Sequence, residues 1–342
     1  MNNQIIEKIP NYCSRLFTLL IYYLRRRKVL LMFFSTIKQL EYLDIEEIFD
    51  YCSFYEKQSP TKNYSTLKSK DIVTVFFEPS TRTQLSFQKA IHSLGGNLLS
   101  ISDISQTRSN MVDSEDLYDA LKVISYFADC TVFRSKTSIL DIQITDIYQQ
   151  DKHFINAGDG RNEHPLQALG DCWLISKKYN NNFNFPFGFI GDCSARVFRS
   201  VFFLLFKLGI KEFHFYSTNY EEMPSDITEH DNNIKLVYHD NIDSLLRSVE
   251  VVEVIPYKIP FNTPIERKND KEIVITEELI KKFNPYMTIL HPGPRNFELS
   301  ATVDNLKNSL FFEQARISTF MKMSVLTYLF QDKYSKGLQK VK

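Results

Sequence analysis

Asp71–Gly96 reads DIVTVFFEPSTRTQLSFQKAIHSLGG. Asp71–Phe77 is rich in β-branched and aromatic residues, the composition of a strand buried on both faces. Pro79 sets a turn, and Ser80-Thr81-Arg82-Thr83 open a helix expected over Thr81–Leu94. Phe87, Ile91 and Leu94 share one face of that helix, and Gly95-Gly96 stop it. A helix N-terminus presents unpaired N–H groups and a partial positive charge, which suits a phosphate dianion. Three hydroxyls and a guanidinium at the same point add donors and a full charge. Ser and Thr are also ordinary helix caps. Capping accounts for one hydroxyl, not for an arginine held between two threonines.

Outward from this unit, short β-rich runs alternate with helix-like segments, the pattern of an α/β protein with largely parallel strands. Leu98–Ile101, Thr131–Phe133 and Phe154–Ala157 are further strands, and Glu115–Phe127 is a helix between two of them. A second series begins with strand Phe187–Ile190, helix Arg196–Leu208 and strand Glu212–Tyr216. Leu236–Tyr238, Val251–Ile255 and Thr288–Leu290 continue it, and the polar stretch Lys178–Phe185 marks the passage between the series. A last helix over Phe311–Gln331 places Ile317, Met321, Val325 and Tyr328 at helical spacing. The expected architecture is two doubly wound parallel-sheet lobes with a cleft between them.

A length of 342 residues fits two domains of roughly 150 each. Lys plus Arg and Asp plus Glu both number 41, so the net charge is zero, which argues against a global basic surface for nucleic acid. It leaves room for a local basic pocket. With 43% hydrophobic and 24% charged residues, the chain is neither disordered nor a disulfide mini-scaffold. Cys13, Cys52, Cys130, Cys172 and Cys193 form no CxxC pair and have no histidine at ligand spacing. They read as free thiols of a reducing, cytoplasmic compartment.

The N-terminus stands apart. Apolar Leu16–Leu24 and Val29–Phe34 flank the cations Arg25–Lys28. A membrane span needs about 20 uninterrupted apolar residues, and a signal peptide carries its charges first. Residues 1–28 are therefore expected to be an amphipathic extension, with contact at a membrane surface left open.

Phe76–Gly96 closely resembles the carbamoyl-phosphate loop and helix of the aspartate/ornithine carbamoyltransferase family. Three further segments agree in order and spacing. Val132-Phe133-Arg134 resembles the strand that ends in a carbonyl-polarising arginine. Asn156–Gln167, NAGDGRNEHPLQ, is similar to the loop bearing an active-site HPxQ. His291–Asp304, HPGPRNFELSATVD, is similar to a late loop whose main-chain carbonyls hold the carbamoyl amino group. The resemblance covers roughly residues 29–332, and FFEP, NAGDG and HPGPR favour the aspartate branch.

The resemblance implies a carbamoyl-phosphate domain over 29–168, an amino-acid domain over 169–310, and a helix over 311–332 that packs back on the first. It implies transfer of the carbamoyl group to L-aspartate, giving N-carbamoyl-L-aspartate and phosphate, a step of pyrimidine biosynthesis. Ser80, Thr81, Arg82 and Thr83 would bind phosphate, and Thr83, Arg134 and His164 would converge on the carbonyl oxygen as it becomes anionic. Gln167 would meet the carbamoyl nitrogen with main-chain oxygens near Gly293 and Pro294. No metal or organic cofactor enters. A homotrimer with shared sites is implied, the neighbouring subunit contributing the loop of Ser109 and Asp113.

Two departures accompany the matches. Asp113 falls where the family carries a lysine that donates to both substrates. Pro256 and Lys258 fall where aspartate-specific members carry the arginine and glutamine of R-x-Q. Arg196 matches the other carboxylate-binding arginine, with Arg199 its alternative under a different gap, so Arg196 and Lys258 are the acceptor-side candidates. Two other readings accommodate these departures: a carbamoyltransferase with a different amino-acid acceptor, and an impaired paralogue that binds carbamoyl phosphate as a scaffold subunit.

Overall fold

The β-rich runs form two separate sheets of parallel strands, each crossover running through helical structure. The computed structural model describes residues 33–58, 63–101, 116–141, 144–148, 152–229, 233–257 and 272–331. In the first sheet, β1 (Phe33–Phe34), β2 (Asp71–Phe76), β3 (Asn97–Ile101), β4 (Cys130–Ser135) and β5 (His153–Asp159) lie in the order β1-β5-β4-β2-β3. The second holds β6 (Phe187–Ile190), β7 (Glu212–Tyr216), β8 (Lys235–Tyr238), β9 (Val251–Val254) and β10 (Thr288–Leu290) in the order β10-β9-β6-β7-β8. The helices are α1 (Tyr42–Lys57), α2 (Thr81–Ser93), α3 (Leu117–Phe127), α4 (Ile144–Ile147), α5 (Pro165–Lys178), α6 (Arg196–Leu208), α7 (Ser225–Thr228), α8 (Ile242–Ser248), α9 (Glu277–Phe283) and α10 (Phe311–Phe330). Two parallel-sheet α/β lobes are thus present, as the alternation of runs implies.

The expected strands all occur, with ends displaced by a residue or two. α5 has no counterpart among the expected elements, because it is buried nearly all round and shows no apolar stripe. It runs across the boundary between residues 168 and 169, where the amino-acid domain was expected to begin, and the chain reaches the second sheet only at Phe187. Between them, at Asn180 and Asn181, φ is 51° and 60°, a left-handed turn that asparagine tolerates.

The order of strands places the site. From β2 the first sheet grows one way to β3 and the other way to β4, so the turns leaving β2 and β4 diverge. The second sheet reverses in the same way at β6, between β7 and β9. Such switch points leave a crevice at the carboxyl ends of the strands, where ligands bind. Phe76 of β2 pairs in register with Arg134 of β4, and Ile190 of β6 with Val254 of β9. The Glu78–Thr83 turn, Arg134, Arg196 and Pro256 therefore leave from the two crevices.

One apolar core runs through both lobes, from Phe34 and Ile72 in the first sheet through Trp173 of α5 to Phe198, Phe202 and Phe213 in the second lobe. α10 returns to the first lobe and packs on α1 and α2. Tyr328 donates to the buried Asp44 carboxylate at 2.6 Å, and Tyr55 meets Thr327 at 2.6 Å. Among the described residues no helix is long and apolar enough to cross a membrane, and the 1–28 extension lies outside them.

Phe202 is fully buried, its ring centroid 4.4 Å from that of Phe213 and 5.5 Å from that of Phe203. Phe202→Ala is expected to cost about 3–5 kcal/mol of stability, read as a lower urea midpoint. A loss below about 1 kcal/mol would mean that this junction is not part of the cooperative core.

Candidate active site

A cleft of about 660 Å³ opens between the lobes. Its floor in the first lobe is the N-terminus of α2. Ser80 stands at the cap position but its side chain makes no capping hydrogen bond, so the hydroxyl is not spent on the helix. Ser80, Thr81, Arg82 and Thr83 all line the cleft. Burial lowers the pKa of the Arg82 guanidinium, which still stays charged.

Arg82 lies against the opposite lobe. At Gly293 φ is +65°, and a Cβ there would come within 2.3 Å of the guanidinium. Only glycine lets the arginine pass so close to that backbone. The surrounding loop is braced from within. Gly293 N–H donates to His291 Nδ1 at 2.8 Å, and His291 Nε2 donates to the buried Glu298 at 2.8 Å. Pro292, Gly293 and Pro294 line the cleft.

Arg134 leaves the end of β4 and is nearly buried. Its Nη1 donates to Ala157 O at 3.1 Å and lies 3.3 Å from His164 Nε2, and its Nη2 is 3.2 Å from Glu78. Burial, aided by the nearby Arg196 charge, pulls its pKa down to about 10, so it remains a cation near neutrality. Burial first, then the surrounding cations, hold the His164 pKa well below the usual 6.5, so its ring is neutral. The ring meets Arg134 through Nε2, and its Nδ1 has no partner among the described residues. The His164 main-chain N–H donates to Ser200 Oγ at 2.9 Å, and Ser200 donates to the buried Glu163 at 3.2 Å.

The second-lobe side of the cleft is set by α6. Arg196 Nη2 meets Glu78 at 2.7 Å and its Nη1 reaches Gly160 O at 3.3 Å. Arg199 turns away to an ion pair with Asp226 and a 3.2 Å bond to Asn162. Of the two arginines, Arg196 is the one in the cleft. Gly158, with φ +113°, makes room for both guanidiniums, since a Cβ there would lie 2.9 Å from Arg134 and 3.3 Å from Arg196. Pro256 lines the cleft, whereas Lys258, Ser109 and Asp113 lie outside the described residues.

Gln167, near the start of α5, lines the cleft with its Nε2 turned back to Asp171, 2.9 and 3.1 Å from the two carboxylate oxygens. α10 adds Gln314, Ser318 and Lys322 to the wall. Sequence reading missed these three, together with Glu78, Gly158 and Asp171. Glu78 alone carried a signal, as an acidic residue close before the Ser80–Thr83 turn. Among the described residues, no three His, Cys, Asp or Glu side chains group as metal ligands.

This cleft gathers three guanidiniums, a neutral imidazole and a helix N-terminus between two parallel-sheet lobes. It is the site of an enzyme that handles a phosphorylated carbonyl compound. Residues 33–177 match the family model "Aspartate/ornithine carbamoyltransferase, carbamoyl-P binding domain", and residues 184–329 match the "Asp/Orn binding domain" of the same family. The aspartate carbamoyltransferase catalytic subunit of Methanocaldococcus jannaschii is 32% identical over 305 residues, covering 87% of this chain and 97% of its own. That of Nitrosopumilus maritimus is 32% identical, covering 85% and 94%. A crystal structure of the M. jannaschii catalytic subunit superposes with a TM-score of 0.74 at 30% identity, covering 87% and 98%. The chain belongs to the aspartate/ornithine carbamoyltransferase family and is a carbamoyltransferase.

Gly293→Ala is expected to push Arg82 aside and weaken binding of inorganic phosphate about tenfold, at an unchanged circular dichroism spectrum. Calorimetric titration checks it; equal affinity would mean that Arg82 does not hold the phosphate.

Proposed function

We propose that the protein transfers the carbamoyl group of carbamoyl phosphate to the amine of L-aspartate, a step of pyrimidine biosynthesis. The observation that carries this is the convergence of Arg82, Arg134 and His164 with the open N-terminus of α2 in one cleft. Phosphate sits on the Ser80–Thr83 turn, with Arg82 carrying the main charge. The amine attacks the carbonyl carbon, and the oxygen becomes an oxyanion that Thr83, Arg134 and neutral His164 stabilise. The C–O bond to phosphate then breaks, phosphate departs with the electron pair, and the new C–N nitrogen loses a proton. Gln167 Oε1 and carbonyls of the 292–294 turn accept from the carbamoyl amino group. Arg196 takes one acceptor carboxylate, and Lys258 the other as a point charge.

Pro256 at the wall favours a second reading, with a different amino-acid acceptor. Phosphate release from carbamoyl phosphate with L-aspartate, L-ornithine or no acceptor separates the two. Aspartate-dependent turnover is expected; release with ornithine alone would overturn the aspartate assignment.

The working form is a homotrimer whose neighbouring subunit lends the Ser109–Asp113 loop to the cleft. Large apolar side chains lie open on the first lobe, with Tyr126 73% and Phe127 66% exposed, and suit a subunit contact. Light scattering would give three times 40.2 kDa. The enzyme works in the cytoplasm, in keeping with Cys52, Cys130, Cys172 and Cys193 as buried free thiols.

His164→Ala is expected to lower kcat by about 10²–10³ with little change in phosphate affinity. In an NMR titration, the His164 ring of the wild type stays neutral until well below pH 6.5, and a ring charged at neutral pH would contradict its role as a neutral donor.

A further inference from the structure

Behind Gln167 lies a buried charged cluster that the catalytic scheme leaves unused. Asp171 of α5 and Glu253 of β9 are both fully buried and face each other. Neither Glu253 oxygen meets a donor among the described residues. Two ionised carboxylates in this position would repel at low dielectric, and no donor offsets the charge on Glu253, so the pair keeps one proton. Asp171 is the ionised partner, because donors surround it. Gln167 Nε2 reaches both of its oxygens at 2.9 and 3.1 Å, and Gln314 Nε2 reaches Oδ1 at 2.7 Å. Burial pushes the Asp171 pKa up to about 7 and pulls that of Lys322, bonded to Ser318 at 2.7 Å, down to about 7, so at pH 8 Asp171 is ionised and the bonds from Gln167 and Gln314 are what hold its charge. The proton therefore sits on Glu253, whose carboxyl burial and the Asp171 charge push well up.

The consequence reaches the substrate. A carboxylate accepts only, so Gln167 presents its NH₂ to Asp171 and keeps Oε1 free for the cleft. Gln314 does likewise, and its Oε1 accepts the main-chain N–H of His291 at 2.8 Å. One carboxylate thus orients both the Gln167 amide and the start of the His291–Pro294 turn. These are the two places where acceptors for an N–H₂ group stand. We propose that Asp171, with Glu253 as its proton-bearing partner, is a positioning residue that makes this wall of the cleft an acceptor surface for the carbamoyl amino group. The inference rests on the carbamoyl-phosphate reading above.

The test compares carbamoyl phosphate with acetyl phosphate, which has a methyl in place of the amino group. In Asp171→Asn, the amide nitrogen faces one of the two glutamine NH₂ groups. Relief of that clash turns Gln167 round and presents N–H to the substrate's N–H. The KM for carbamoyl phosphate is expected to rise about tenfold or more, while the Ki of acetyl phosphate stays within about twofold. Equal loss for both ligands, or no loss for either, would overturn the proposal, the first by showing a merely structural role. Glu253→Gln replaces the O–H donor with an N–H donor and is expected to keep the KM within about threefold; a tenfold rise would overturn the assignment of the proton. Should Asp171→Asn fail to fold, the infrared carbonyl band of a protonated carboxylic acid decides. At pH 8 it must be present in the wild type and lost in Glu253→Gln, and its absence from the wild type overturns the proposal. Wild-type enzyme that turns over no carbamoyl phosphate would fail the earlier reading instead, so the two failures are distinct.

Discussion

The cleft depends on Glu78. Its carboxylate stands between Arg134 of the first lobe and Arg196 of the second, at 3.2 and 2.7 Å. Without a carboxylate there, two guanidiniums from different lobes would face each other in a half-dry crevice with Arg82 close by. Unit charges 4 Å apart interact by about 4 kcal/mol at an effective dielectric of 20, enough to hold such lobes open. Glu78 leaves β2 just before the turn that opens α2, so one short segment supplies both the anion that gathers the arginines and the uncapped helix end on the cleft floor. It also keeps Arg196 engaged, so any carboxylate that enters beside Arg196 has to share or exchange that partner.

Around this bridge the packing is continuous rather than hinged. α5 and α6 bury nearly every side, and a single apolar core passes through them from one sheet to the other. α10 closes the arrangement by returning to α1 and α2 while lending Gln314, Ser318 and Lys322 to the cleft. The polar groups that line the cleft are backed by buried polar groups: His164 by Ser200 and Glu163, the 291–294 turn by Glu298, Gln167 by Asp171. Buried polar groups are costly unless paired, and here each pairing also selects one orientation of a group that touches the cleft.

Much of this was legible before any coordinates. Strand runs such as Asp71–Phe76 and Phe187–Ile190 carry their own composition, and Ser80–Thr83 announces an anion site because its chemistry is local to one helix end. Arg134, His164 and Gln167 were legible only through their joint order and spacing. Arg196 and Arg199, three residues apart on α6, differ in direction, one pointing into the cleft and the other towards Asp226, which spacing alone does not show.

The sequence by itself determined the alternation of elements, the two-lobed α/β class and the Pro79–Thr83 turn into α2, because each is written in contiguous residues. Tertiary structure alone decided that Glu78 bridges two lobes, that Gly158 and Gly293 are the points where guanidiniums pass the backbone, and that Asp171, Glu253 and Lys322 share one buried space. No local pattern marks those pairings. A charged residue on a helix reads as solvated until another element covers it, and what covers these comes from segments tens of residues away along the chain.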